Sequence, residues 1–271
     1  MTTVAHPPET LEGWYLSHHV YSADRAALRA RGSEKASLVA AADEAIARLA
    51  PATPEGGWSA AFALAGSRGD LMIIHARPTL DAIGAAERTL ASAALFDHLG
   101  REYSFLSVTE AGLYHITAQL AKDAVTRGGA VGDEEYRAAL GARAAAERAS
   151  AHIQRRLYPP LPVEMPYVCF YPMSKRRDPG ANWYQLTLEE RSRLMYAHGL
   201  TGRRYAGRIQ QTISGAIGLD EWEWGVTLVA RDPLDFKRIV TDMRFDEVSA
   251  IYATFGRFFV GRRATIAEAI G

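Results

Sequence analysis

Trp58-Ser59-Ala60-Ala61-Phe62-Ala63-Leu64, then Gly66-Ser67-Arg68-Gly69, then Asp70-Leu71-Met72-Ile73-Ile74-His75 is the stretch that decides the fold. Two runs of β-forming residues flank four turn-formers, which predicts an antiparallel hairpin. The flanks decide how that hairpin is used. Upstream, Gly13-Trp14-Tyr15-Leu16-Ser17-His18-His19-Val20-Tyr21 reads as an aromatic-rich strand ended by Ser22-Ala23-Asp24. A helical stretch dense in Ala, Glu, Lys and Arg follows as far as Leu49. Downstream, 79–99 has helical period and 102–110 returns to strand. The order is β-α-β-β-α-β.

The second half of the chain repeats this order. Residues 167–171 read as a short strand. Thr187 opens a helix with Glu190 three residues on, a capping-box pattern that supplies acceptors to unpaired backbone N–H groups. Residues 210–217 and 221–230 read as strands around Gly218-Leu219-Asp220. Asp232-Pro233 starts a last helix running towards Ala253, and 257–261 closes as a strand. Between the halves, 120–157 is rich in Ala, Glu and Arg, with a break at Gly128-Gly129-Ala130-Val131-Gly132. Strong helix formers there predict a helical connector. The expected fold is therefore α+β: two ferredoxin-like β-α-β-β-α-β repeats packed sheet on sheet as a dimeric α+β barrel within one chain. The halves are placed at 11–115 and 164–263, with the connector at 116–163.

Composition narrows the function classes. With 48% hydrophobic and 23% charged residues the chain is an ordinary globular protein able to bury a core. Thirty-one Lys and Arg balance 31 Asp and Glu, which leaves no surplus of positive charge for an extended nucleic-acid footprint. A single cysteine, Cys169, excludes an intramolecular disulfide and reads as a small buried hydrophobe. No apolar run approaches the length of a membrane span, and residues 1–10 carry no signal pattern. A reducing, cytoplasmic setting is expected. There is no P-loop, no dinucleotide glycine fingerprint and no zinc motif. His18 and His19 alternate across a strand and so cannot chelate jointly.

The residues with chemistry to offer lie in the second half. Tyr171 ends its strand, and the chain then leads through Pro172, Met173 and Ser174 into Lys175-Arg176-Arg177, so cations stand at the mouth of whatever that strand lines. Such cations suit carboxylate or phosphate ligands. His198, 27 residues after Tyr171, lies on a helical stripe with Leu194. Taken alone, it is either a core histidine bonded to a carbonyl or an axial ligand of haem iron. Gln210 and Gln211 alternate, so one of them points inward. Arg244 either binds a carboxylate or pairs with Asp246 or Glu247. Trp222 and Trp224, two apart on a strand, are expected to share one face.

Three segments then carry a resemblance. Val168-Cys169-Phe170-Tyr171-Pro172-Met173-Ser174-Lys175-Arg176-Arg177, MYAHGLTGRRYAGRIQQTISGAIGLDEWEWGVTLVARDP from Met195 and MRFDEVSAIYATFGRFFVG from Met243 resemble the chlorite dismutase-like superfamily. Within it they are most similar to the coproheme decarboxylases. The likeness is dense from Arg156 to Gly261. In the first half it is mostly architectural, with residues 103–110 the best local echo. It implies an oxidoreductase acting on iron coproporphyrin III, which serves as substrate and as its own redox cofactor and leaves as haem b, with hydrogen peroxide as oxidant. By resemblance, His198 is the iron ligand, Tyr171 the radical-forming tyrosine and Lys175 the lysine that holds a propionate. Pro172, Met173, Ser174, Gln211 and Ser249 fall on the remaining pocket positions, and Arg244 is a further propionate contact. An earlier propionate-binding arginine falls at Arg156, with Arg155 not separated from it. The family likeness also implies a homopentamer and an upstream ferrochelatase as partner. Two other readings stand beside it. A chlorite dismutase carries a distal arginine where Gln211 stands here. A non-catalytic haem-binding or delivery protein needs His198 but not Tyr171.

Overall fold

The repeated β-α-β-β-α-β pattern is realised twice in the computed structural model, which describes residues 7–51 and 56–270. The first half comprises β1 (Thr10–Ala23), α1 (Arg25–Ala30), α2 (Glu34–Leu49), β2 (Trp58–Leu64), β3 (Leu71–Arg77), α3 (Leu80–Ala91) and β4 (Leu99–Gly112). The connector is helical, as its composition predicts: α4 (Tyr114–Thr126), α5 (Glu134–Ala149) and α6 (Ala151–Leu157). The glycine-rich break falls between the first two, where Asp133 caps α5 by accepting from the Tyr136 N–H. The second half comprises β5 (Tyr167–Lys175), a small hairpin β6 (Arg177–Asp178) and β7 (Ala181–Asn182), α7 (Leu188–Arg203), β8 (Ile209–Gly215), β9 (Trp224–Ala230), α8 (Leu234–Arg244), α9 (Glu247–Tyr252), β10 (Ala253–Phe255) and β11 (Phe259–Arg263). A last turn of helix, α10 (Ile266–Ile270), returns to the first half, where Ile266 and Ile270 are buried.

Strand order is β2-β3-β1-β4 in the first half and β8-β9-β5-β11 in the second, the same permutation twice. Two seams join them. β4 pairs with β8 at Val108↔Gly215 and Thr109↔Ser214, and β11 pairs with β2 from Gly261↔Leu64 to Arg263↔Phe62. Together with the β5–β9 pairing these close an eight-stranded antiparallel barrel. Its interior is filled by Trp14, Leu16, Val20, Phe62, Phe105, Phe170 and Phe259. The outer face of the first half is covered by α2, α3 and α10 and that of the second by α8, with α7 packed on α4, α8 and α9.

Register relates the halves residue by residue. His18 pairs with Phe105 and Ile74, and Phe170 pairs with Phe259 and Thr227. His18 and Phe170 are thus equivalents, and their rings stack on each other at 4.0 Å. His18 is wholly buried there, bonded through Nε2 to the Thr227 hydroxyl at 2.9 Å. One residue on, His19 is the counterpart of Tyr171. It points outward and bonds Glu87 of α3 at 2.7 Å.

Two elements depart from expectation. β5 continues through Pro172 to Lys175, because the Pro172 carbonyl still accepts from the Gly256 N–H at 2.8 Å and β9 pairs along its other side. The last helix is not continuous. It stops at Arg244, and Asp246 caps a new helix by accepting from the Ser249 N–H.

Candidate functional site

Alternation along β5 places Cys169, Tyr171, Met173 and Lys175 on the outer face of the second half, under its helices. Pro172 and Ser174 point the other way. Pro172 packs against the position of Gly256, and the Ser174 hydroxyl accepts from the Glu223 N–H. Their side chains are therefore not grouped with Tyr171. The Tyr171 ring is buried between Phe258, stacked at 4.3 Å, and Phe255 at 6.0 Å. Its hydroxyl makes no hydrogen bond among the described residues. Burial pushes the phenol well above its ordinary value, the Cys169 thiol adds to this, and only Arg244 opposes it. Cys169 is a buried thiol raised to about 12 by burial, as befits a packing residue.

Lys175 is a buried cation. Its ammonium lies over the Trp183 ring, 4.4 Å from the centroid, and its backbone N–H donates to the Glu223 carboxylate at 2.7 Å. Burial lowers it to about 8, against the pull of Asp246 and Glu223 towards the charged form. It has no ion pair within 4 Å among the described residues. A desolvated ammonium in that condition would gain from an anion brought close to it.

His198 comes from α7, whose first turn is fixed by the Thr187/Glu190 capping box. One turn before it, Leu194 is buried against Trp183 and Val248, which anchors that side of the helix. The imidazole Nδ1 meets Asp246 Oδ2 at 2.9 Å. Burial alone would raise the Asp246 carboxyl, yet the bonds from His198 and from the Ser249 N–H, with Lys175 nearby, hold it below the usual range. With a carboxylate at Nδ1, that nitrogen carries the proton and the Nε2 lone pair is left for a metal. Asp246 thus faces both His198 and Lys175.

Gln211 shares the Tyr171 face through the register Gln211↔Leu228↔Cys169, whereas the Gln210 amide turns away to the Pro160 carbonyl. Arg244, at the end of α8, lies 3.6 Å over the Phe255 ring rather than pairing with Asp246 or Glu247. Ser249 is buried beside Asp246. Arg156 is half-buried on α6 and feels Glu110, which in turn accepts from the Trp224 indole at 2.8 Å, whereas Arg155 is exposed. Trp222 and Trp224 do not share a face. Trp222 precedes β9 and packs with the barrel interior, and Trp224 lies opposite Met173.

Sequence reasoning missed Asp246, Trp183 and Phe258. Asp246-Glu247-Val248-Ser249 does carry an N-cap signal, overridden by the apparent helical run from Pro233. Trp183 and Phe258 carried no signal beyond being aromatic.

The donor set fits a ferric porphyrin with carboxylate arms: one imidazole with a free nitrogen, one buried ammonium and one unanchored phenol. Long, flexible side chains now lie under α7. A methyl built on Gly202 would meet Met243 Cε at 3.3 Å and Gln211 Oε1 at 3.8 Å, both at the ends of flexible side chains. The two cavities described lie elsewhere. One is an open cleft of about 400 Å³ beside Arg101, Tyr103 and Asp220, and the other a small space near Trp58 and Thr212.

The sequence profile of the chlorite dismutase family matches residues 35–264. This chain belongs to that family. A coproheme decarboxylase of Staphylococcus carnosus is 39% identical over 93% of the chain and 92% of its own length. One from Staphylococcus saprophyticus is 40% identical over 95% and 94%. Among solved structures, a haem-binding protein from Thermus thermophilus superposes with a TM-score of 0.79 at 36% identity, over 98% of this chain and 97% of its own. A mutant chlorite dismutase from Candidatus Nitrospira defluvii, at 18% identity and a TM-score of 0.69 over 96% and 95% of the two chains, shares the fold of the family.

Proposed function

We propose that this chain is a coproheme decarboxylase that uses hydrogen peroxide to turn the propionates at positions 2 and 4 of iron coproporphyrin III into vinyls, giving haem b. The relatives of that name, matched along nearly their whole length, support the activity. The observation that carries the site is Asp246, which faces both His198 and Lys175, with Tyr171 two strand repeats from Lys175 along the same face.

His198 binds the substrate iron through Nε2, oriented by Asp246 at Nδ1. In this reading Lys175 holds one carboxylate and Arg156 and Arg244 hold others. Met173, Gln211 and Ser249 complete the pocket wall. Iron coproporphyrin III, as substrate and redox centre, supplies with peroxide the oxidising equivalents. A phenol is neutral at physiological pH and burial raises Tyr171 further, so its electron leaves with its proton, which the reduction of peroxide to water consumes. The phenoxyl that results takes a hydrogen atom from the propionate carbon next to the ring. Loss of carbon dioxide and one further electron leaves a vinyl. Each propionate and one proton thus yield vinyl and carbon dioxide, while one peroxide is reduced to two waters.

The C-terminal half, 164–263, carries the site and the connector, 116–163, contributes Arg156. Among the described residues no helix is long and apolar enough to cross a membrane. A cytoplasmic homopentamer that receives its substrate from a ferrochelatase is the setting this reading implies.

The test is conversion of iron coproporphyrin III by peroxide, followed by mass spectrometry. The native chain should give haem b, and Tyr171→Phe should bind the porphyrin but form no vinyl. Vinyl formation by Tyr171→Phe removes the radical role. Binding without conversion by the native chain leaves a haem-delivery protein, and brisk dioxygen release from chlorite by the haem-loaded chain would favour a chlorite dismutase.

A further inference from the structure

One extra residue in the barrel wall aims an aromatic ring at Tyr171. β10 and β11 both pair with β5, but in registers that differ by one: Phe255↔Met173 before the join and Phe259↔Phe170 after it. Three residues, Gly256, Arg257 and Phe258, therefore stand opposite two, Tyr171 and Pro172. This is a β-bulge, a device that bends a strand and re-aims a side chain. Its chemistry is local. Pro172 has no N–H to give the ladder, its carbonyl takes the Gly256 N–H, and a methyl at Gly256 would lie 2.6 Å from Pro172 Cγ. Arg257 is expelled to solvent. The extra residue reverses the alternation, so Phe259 enters the barrel while Phe258 stays outside against Tyr171.

The first half supplies an internal comparison. Its β4 has a register shift at the same ladder position, between Val20↔Tyr103 and Tyr21↔Arg101. There the counterpart of Tyr171 is His19 and the counterpart of Phe258 is Ser104, paired as His19↔Ser104. His19 needs no ring beside it, because Glu87 fixes it by a hydrogen bond. Tyr171 has no such bond among the described residues, so packing alone sets its orientation. Its closest ring partner is Phe258, near-parallel at 23°.

We infer that Phe258 is a positioning residue: the bulge presses it onto the Tyr171 ring, and this stack locks the phenol in the orientation that reaches the substrate's carboxylate arm. The inference rests on the role proposed for Tyr171, but the locking itself is measurable in the protein without porphyrin. In a chain labelled with 3-fluorotyrosine, the residue-171 fluorine signal is the one missing from Tyr171→Phe. It should report slow or absent ring flipping in the native chain and a single averaged line in Phe258→Leu, which keeps the apolar volume, and in Phe258→Ala. With iron coproporphyrin III and peroxide, both variants should lose roughly tenfold or more in kcat with KM changed by less than about twofold, as loss of orientation rather than binding requires. Phe258→Tyr should restore both readouts. An averaged line already in the native chain, or a native-like line in Phe258→Leu, overturns the inference whatever the kinetics. Native-like kcat with a mobile ring overturns the catalytic half of it. Turnover by Tyr171→Phe would instead count against the role of Tyr171 and leave the fluorine result standing.

Discussion

Lys175 shows at the level of one residue how burial makes a charge sensitive to its neighbours. Burial lowers its ammonium to about 8, and Asp246, the larger of the two carboxylate influences on it, is already engaged by His198. A carboxylate arriving beside it favours the charged form and raises that value. Porphyrin binding between about pH 8 and 9 should therefore take up a proton, and affinity should fall as pH rises through 8. Calorimetry in two buffers of different ionisation enthalpy reads the uptake; equal heats would mean that Lys175 holds no carboxylate. For Tyr171 the expectation is the reverse of the usual buried tyrosine. Its hydroxyl has no partner to lose, so Tyr171→Phe should change unfolding free energy by less than about 1 kcal/mol, measured by denaturant titration. Tyr171, Lys175 and His198 stood out in the sequence as a phenol, a cation and an imidazole, but only the family resemblance gave them roles. Asp246 did not stand out, because its role depends on the chain turning at Phe245, and a continuous helix is what 233–253 suggests by period.

At the level of elements, the breaks matter more than the regular runs. The helix that opens at Pro233 ends early, and the residue that restarts it, Asp246, commits one carboxylate oxygen to the Ser249 N–H and the other to His198. The capping box of α7 was legible, since Thr187 and Glu190 are three apart, and it holds the other side of that contact. The passage of β5 through Pro172 was not legible, because proline ordinarily ends a strand pairing. Only a partner strand with a bulge opposite makes it tolerable. Gly256 is the hinge of that arrangement: Gly256→Ala would put a methyl 2.6 Å from the Pro172 ring and 2.9 Å from the Trp222 ring. It should destabilise the protein by about 1–3 kcal/mol, the usual range for overpacking. A melting temperature equal to the native one would show that the bulge can relax.

In the molecule as a whole, two halves were readable from a repeated order of elements, but the seams that close the barrel were not. β4–β8 and β11–β2 join residues more than 100 positions apart, and no local pattern fixes such a register. What fixes it is the interior, where His18, Phe105, Phe170 and Phe259 meet. Placing a histidine there has a cost in acid. Burial lowers His18 to about 3 and His75 to about 3, against 6.5 in an unstructured chain. Between those limits the unfolded chain binds more protons, so stability is complete above about pH 6.5 and falls as pH drops. The slope is about 1.4 kcal/mol per pH unit for each histidine. His18→Gln, which keeps a donor for Thr227, should reduce the slope between pH 6 and 4 by about one proton. An unchanged slope, from unfolding curves at several pH values, would mean that His18 is not neutral in the fold.

The latch between His19 and Glu87 acquires meaning from its place in the pairing of halves. A dimer of identical chains would have to build the same cavity twice. Two halves in one chain need not be identical, and the position that holds an unbonded phenol in one is tied down by an acid in the other. The repeated scaffold thus carries two differently furnished outer faces: one closed by the His19–Glu87 bond, the other holding Tyr171 by packing alone.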